Sequence, residues 1–139
     1  MSGKLLDTDT VVELVRANKR TITDRYIEAI TAGADLFISI VTVFEFRYGM
    51  ERSPRQALQK PALERLLTQI TVTPFDEGDA EHTARVKAAL AQSGRMIGAY
   101  DLLIAGQAMA RGWTVVTGNT REFSRVEGLQ VEDWNTPLG

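Results

Sequence analysis

Short apolar runs alternate with helical stretches along this chain, and no other feature constrains its fold as strongly. Repeated strand–helix–strand succession is the pattern of an α/β domain with a mainly parallel sheet, because each return to a parallel neighbour needs a crossover long enough to hold a helix. Residues 4–7 (KLLD), 36–40 (LFISI), 72–75 and 113–117 (WTVVT) read as strands, with 129–131 as a further edge strand. Helices are expected over 10–16, 24–32, 42–52, 62–70, 79–92 and 98–110, and a short turn or helix over 119–124. Gly33, Gly94 and Gly112 stand just past three of these helices, Pro54 follows a fourth, and Pro61 suits the first turn of a fifth. In 79–92 the positions Ala84, Ala88 and Leu90 recur at roughly helical spacing, and 98–110 is so apolar that it must be buried on most sides. With no repeat, low-complexity tract or linker, residues 1–139 read as a single domain.

Whole classes of chemistry are removed by what the chain lacks. There is no cysteine, and His82 is the sole histidine. Disulfide scaffolds, thiolate zinc sites, cysteine nucleophiles and histidine pairs are thereby excluded. Serine–histidine hydrolysis would rest on His82 alone, without a G-x-S-x-G elbow. Any metal would be a hard cation on carboxylates, such as Mg²⁺ or Mn²⁺. No apolar run nears the roughly 18 residues of a spanning helix, and MSGKLLDTDT has no signal core, so a cytoplasmic protein without membrane attachment is expected. The formal charge of −2 argues against a protein that coats nucleic acid electrostatically. It leaves room for an acidic site with a basic rim, and Arg16, Lys19, Arg20 and Arg25 form a local cluster that is either such a rim or a solvated helix face.

Four acidic places stand out, and the first and last follow predicted strands, where open α/β sheets form their sites. In LLDTDT, Asp7 and Asp9 share a face in extended chain, although an acid after a strand also caps the next helix. Glu45 in VTVFEFRYG has the spacing of a capping box with Thr42, and Arg47 or Arg52 could pair with it. Its neighbours Val43, Phe44 and Phe46 would otherwise carry it into an apolar layer. Asp101 in MIGAYDLLIAG lies in the most apolar helix, with no Lys or Arg three or four residues away. A buried unpaired carboxylate costs several kcal/mol, so Asp101 needs a distant partner, and a metal ion qualifies. In TGNTREF, Asn119 and Glu122 again have helix-cap spacing.

Taken in order, LLDTDT, ISIVTVFEFRYGMERS, IGAYDLLIAGQAMARG, VVTGNTREFSRV and GLQVEDW closely resemble PIN-domain ribonucleases of the VapC-type toxin family, over nearly the whole chain. The resemblance implies a PIN-like three-layer domain, a central mainly parallel sheet with helices on both faces and an acidic pocket at the strand ends. It transfers the family's metal ligands onto Asp7, Glu45 and Asp101. Asn119 stands where aspartate is usual, with Glu122 close by, and Asp9 where asparagine is common. The implied activity is Mg²⁺- or Mn²⁺-dependent hydrolysis of RNA by metal-activated water. Asp7 and Asp101 would be central ligands, Glu45 a ligand or an anchor for a metal water, and Asn119 or Glu122 would complete a second site. Structured RNA such as transfer RNA is the implied substrate, cut to leave a 3′-hydroxyl and a 5′-phosphate. The implied partners are a second copy in a homodimer and a small cognate antitoxin.

Two other readings compete. DTDTV resembles the nucleophile loop of haloacid-dehalogenase-type phosphatases, which also need a helical lysine and paired acids after a strand. Lys87 is available, but Glu132-Asp133 lies at the far C-terminus. A PIN-type binding module without catalysis would suit Asn119 and leave Asp7, Glu45 and Asp101 unexplained.

Overall fold

Every strand of the sheet runs parallel to its neighbours, in the order β3-β2-β1-β4-β5. The computed structural model describes residues 3–137. The strands are β1 (Lys4–Leu6), β2 (Leu36–Ser39), β3 (Thr71–Thr73), β4 (Thr114–Val116) and β5 (Val131–Glu132). Between β1 and β2 lie α1 (Thr8–Arg16) and α2 (Arg20–Thr31); between β2 and β3 lie α3 (Ile40–Arg52), α4 (Pro54–Ala57) and α5 (Lys60–Leu67). Helices α6 (Glu77–Ser93) and α7 (Ala99–Arg111) precede β4, and α8 (Thr120–Phe123) precedes β5. The chain builds outward from β1 through β2 and β3, then returns to the other side of β1. That reversal between β1 and β4 opens a crevice at the carboxyl ends of both strands.

Alternation along the strands divides the core into two layers. Leu6, Ile38 and Val116 point to the face covered by α1, α2, α3 and α5, where Val11, Ile22, Val43, Phe46 and Leu63 meet them. Leu5 and Val115 point to the opposite face, under α6, α7 and α8, against Leu90, Ile104, Ala105 and Phe123. Full burial of a leucine such as Leu5 or Leu6 contributes about 1.5–3 kcal/mol. The three-layer expectation is met, and the sheet is wholly rather than mainly parallel. Among the described residues, no helix is long and apolar enough to cross a membrane.

The α6–α7 contact is close because Gly106 lacks a side chain. A Cβ there would lie 1.9 Å from Thr83 Oγ1 and 2.6 Å from Thr83 Cα. At its N-terminus α6 is fixed by Asp79, which is 0 % exposed. Arg111 donates from Nε and Nη2 to its two oxygens, each at 2.9 Å, and Gln107 Nε2 adds a third bond at 2.9 Å. Asp79 and Asp76 also form a reciprocal capping box. This anchor explains why α6 is rotated away from its expected apolar face: Asp79, Thr83 and Leu90 turn inward, while Ala84 and Ala88 face water. Likewise α7 is buried mainly from Leu102 to Ala108, and its first turn is open.

Most expected elements are present with shifted ends. Helix α2 begins at Arg20, four residues early, and α3 begins at Ile40 with the Ser39 hydroxyl accepting from Val41 N–H at 3.1 Å. Pro54, read as a stop, is the first residue of α4, a four-residue helix capped by Ser53 that the sequence reading lacks. The last strand is pinned to the first: Lys4 Nζ donates to both oxygens of Glu132 at 2.9 Å, and Arg25 lies 3.6 Å from the same carboxylate.

Candidate active site

Asp7 terminates β1 and caps α1. Its Oδ1 accepts from Thr10 N–H at 2.9 Å, and the Thr10 hydroxyl donates to the Val116 carbonyl at 3.1 Å, stitching α1 to β4 across the crevice. The Thr117 hydroxyl, which accepts from Asn119 N–H at 2.9 Å, lies near enough to the Asp7 carboxyl to favour its charged form. Capping and site geometry therefore coincide in one side chain, only 2 % exposed. Burial pushes its pKa up, the threonine bonds oppose this, and the Asp9 charge adds to the rise.

Glu45 reaches the crevice from α3. Its Oε1 accepts from the Thr8 hydroxyl at 2.6 Å, and that hydroxyl stands 3.1 Å from the Thr42 hydroxyl. The capping box with Thr42 does not form, because Ser39 already caps the helix three residues earlier. Nor does Glu45 enter the apolar layer or pair with Arg47, which lies 3.5 Å from Glu64. Val43 and Phe46 are buried, while Glu45 is half-buried and Phe44 exposed. Burial raises the Glu45 pKa, the Thr8 bond lowers it, and Asp9 raises it again.

Asp101 comes from the first turn of α7. Burial and then the charges of Glu122, Asp7, Asp9 and Glu45 raise its pKa to about 7. Glu122 is brought alongside by the loop after β4: its Oε1 accepts from Gly98 N–H at 2.6 Å, and Asn119 Nδ2 donates to its Oε2. A Cβ placed on Gly98 would lie 3.6 Å from both Asp101 Oδ2 and Glu122 Oε1. Asn119 occupies the cap position of α8 but makes no side-chain cap bond, so the 119/122 spacing serves as a brace rather than a helix cap.

Five acids thus share one electrostatic neighbourhood, and among the described residues none of them forms a salt bridge. Their hard oxygens suit a divalent cation of the Mg²⁺ or Mn²⁺ kind, and crowded like charge is what such an ion relieves. Among the described residues, no three acidic side chains are yet gathered into a metal-holding cage; Glu45 and Glu122 are engaged by Thr8, Gly98 and Asn119.

A groove of about 700 Å³ opens beside the acids. Asp9, Glu13, Glu45 and Asn119 line it together with Arg16, Lys19 and Arg52; Asp7 and Asp101 are not among its lining residues. The basic cluster seen in the sequence is therefore split. Arg20 is exposed near Asp24, and Arg25 is spent on Glu132 and on carbonyls of the C-terminal segment. Arg52, considered in the sequence only as a partner of Glu45, joins the wall. Lys87, needed beside Asp7 for the phosphatase reading, is exposed on α6 and does not line the groove. Glu132, the first of the paired acids, is held by Lys4, which with Trp134 and Arg25 keeps its pKa low against the effect of burial.

The family described as PIN domain matches residues 4–129. A tRNA(fMet)-specific endonuclease VapC of Shigella flexneri is 37% identical over 131 residues, covering 94% of this chain and 97% of the relative. Its namesake from Salmonella typhimurium is 35% identical, with 94% and 96% covered. Among solved structures, DNA-bound VapBC from Salmonella typhimurium superposes with a TM-score of 0.87 at 34% identity, over 96% of this chain and 99% of that one. VapBC2 of Rickettsia felis, bound to a promoter DNA fragment, also gives 0.87, at 25% identity over 94% and 98%.

Proposed function

The chain belongs to the PIN-domain family, and on that premise we propose that it is a VapC-type toxin, a ribonuclease hydrolysing RNA phosphodiester bonds. The observation that carries this reading is the convergence of five acids, Asp7, Asp9, Glu45, Asp101 and Glu122, at the ends of the parallel strands, with no side-chain cation paired to any of them among the described residues. Such an arrangement stabilises no apo fold. It suits a ligand that brings positive charge.

The chain's own groups divide the work. Asp7 is immobilised by Thr10 and supplies a fixed carboxylate at the switch between β1 and β4. Asp101 and Glu122 face it from α7 and α8, with Glu122 aimed by Asn119 and the Gly98 N–H. Glu45, aimed by Thr8, would serve as a further ligand or as the anchor for a water. Asp7, Asp101, Glu45 and Glu122 would hold Mg²⁺ or Mn²⁺, which when bound neutralises phosphate charge and acidifies water. Asn119 acts through Glu122, so asparagine at that position does not empty the site and gives the inert-module reading little support.

The substrate in this reading is structured RNA, with tRNA(fMet) the first candidate because two similar proteins carry that specificity in their names. The partner is a cognate antitoxin, in keeping with the VapBC complexes of matching fold, and the toxin acts as a homodimer in the cytoplasm. The test is cleavage of RNA by purified, antitoxin-free protein. Cutting is expected with Mn²⁺ or Mg²⁺ and should stop with chelator. Undiminished cutting in excess chelator removes the metal, and hydrolysis of small phosphomonoesters instead of RNA restores the phosphatase reading.

A further inference from the structure

The groove that holds Asp9, Glu13 and Glu45 is also lined by three basic residues, here called its basic wall, that the cleavage chemistry above does not use. Arg16 ends α1, and Ala17, in a left-handed conformation at φ 56°, turns the chain so that Lys19 lines the same groove. Both approach Glu13 only loosely, at 3.8 and 4.0 Å, and their side chains keep 40% and 53% exposure. Arg52 ends α3 and lies 5.7 Å above the ring of Tyr48, one turn earlier; among the described residues no carboxylate lies within 4 Å of it. Tyr48 lines the groove with 56% of its surface exposed, an unusual setting for a large ring with no core to fill.

The acidic and basic residues lining the groove have opposite effects on a polyanion. Asp9 and Glu45 repel phosphate, and the chain as a whole carries −2, so affinity for RNA has to come from a local source. Three cations from two helix ends supply it, and an exposed aromatic ring beside them offers a face on which any base can stack. The Arg52 guanidinium over that ring retains in-plane donors for a phosphate. We propose that Arg16, Lys19 and Arg52 neutralise phosphates of the RNA flanking the cleaved bond, and that a base next to that bond stacks on Tyr48. This assignment rests on the ribonuclease reading.

The test uses the full chain, chelator and a fluorescein-labelled RNA oligonucleotide of mixed sequence, so that binding is read without cleavage; steady-state cleavage with Mn²⁺ follows. Arg16→Gln, Lys19→Gln and Arg52→Gln should each lower the slope of log affinity against log salt by about 0.7, the single-strand value per phosphate contact. Each should raise KM several-fold and leave kcat within about twofold. Tyr48→Ala should weaken binding by roughly fivefold or more, as loss of a stacked base does, while Tyr48→Phe keeps wild-type affinity. Arg20→Gln, on the exposed side of α2, should bind as wild type. Wild-type affinity and slope in the wall variants would overturn the proposal, as would an equal loss in Arg20→Gln, which would indicate general charge rather than a wall. Unchanged RNA binding with loss of antitoxin inhibition would give the wall to the protein partner instead. If the wild type neither retains nor cuts RNA, the ribonuclease reading itself falls.

Discussion

Arg111 grips Asp79 through two donors at 2.9 Å, while Asp101, on the same helix as that arginine, feels the charges of four other acids and among the described residues pairs with no cation. The two aspartates are opposite solutions to a carboxylate removed from water. Asp79 finds its cation within the fold, and its pKa is lowered by Arg111, the Asp76 backbone and Gln107 against the cost of burial. Replacing Asp79 by Asn should cost about 1–3 kcal/mol, because Arg111 loses its two-donor partner and keeps only the longer contacts to Asp76 at 3.3 Å and the Pro74 carbonyl at 3.2 Å. A depressed carboxyl pKa stabilises the fold above the ordinary value near 4, and that contribution disappears as pH falls through the folded value. Acid unfolding of the wild type should therefore be steeper than that of Asp79→Asn, as circular dichroism titration will read.

Asp101 carries the reverse sign. With its folded pKa near 7 and an unfolded value near 4, its protonated form favours the fold. The metal-free protein should lose stability as pH rises from about 4 through 7, and Asp101→Asn should flatten that loss. In the same variant the apo protein should be unchanged or more stable at pH 7.5, and cleavage should be lost. Mn²⁺ at a hundredfold excess over its dissociation constant should stabilise the wild type by about 2.7 kcal/mol and the variant far less. Thermal unfolding with and without Mn²⁺ reads both; a large apo loss with an intact metal response would contradict the assignment.

Thr8 aims Glu45 without being placed on the substrate. Thr8→Val keeps the shape and removes the 2.6 Å hydrogen bond, so activity or Mn²⁺ affinity should fall about 10–100-fold, the usual effect of removing a group that orients a ligand. Thr8→Ser should restore most of it, and unfolding temperature should hardly change. Equal loss in the serine variant would show that the hydroxyl is not the active feature.

Two backbone positions give opposite stability predictions. Gly106→Ala must push α6 off α7, since the new methyl would meet the Thr83 backbone, and should cost about 1–3 kcal/mol. Ala17→Gly relieves a left-handed alanine at a helix end and should stabilise by roughly 1 kcal/mol. Urea unfolding at fixed pH measures both.

Expression of the chain alone should arrest growth of its host, and co-expression of a neighbouring antitoxin gene should relieve the arrest. Harmless accumulation of folded protein would favour the inert-module reading.

The parallel sheet was legible because apolar runs are short and each is followed by helix; LLD, LFIS and TVV are built on continuous apolar runs, as strands buried on both faces are, so their register was not readable. Asp101 was legible as an acid without a partner nearby in sequence. The rotation of α6 was not, since alanine at 84 and 88 satisfies a helical period as well as the true inward set, and only the distant Arg111 and Gly106 select between them. Glu45 was misread locally for a related reason: Thr42 and Ser39 are both competent caps, and the strand end at Ser39 decides. The division of the basic cluster also lay out of reach, because Arg25 is claimed by Glu132 more than a hundred residues away.

The bond between Lys4 and Glu132 joins residues 128 positions apart, and the Asp7 N–H closes on the carbonyl of Val116. The first aspartate of the site stands at the end of a strand whose flank is open until β4 pairs with it. A chain cut before β4 lacks one wall of the crevice and the loop that carries Asn119 and Glu122, although Asp7, Asp9, Glu45 and Asp101 are already present. Closure of the site is thus a non-local event: it waits on the pairing of β1 with β4, strands more than a hundred residues apart in sequence, and contacts of that kind are slow to form.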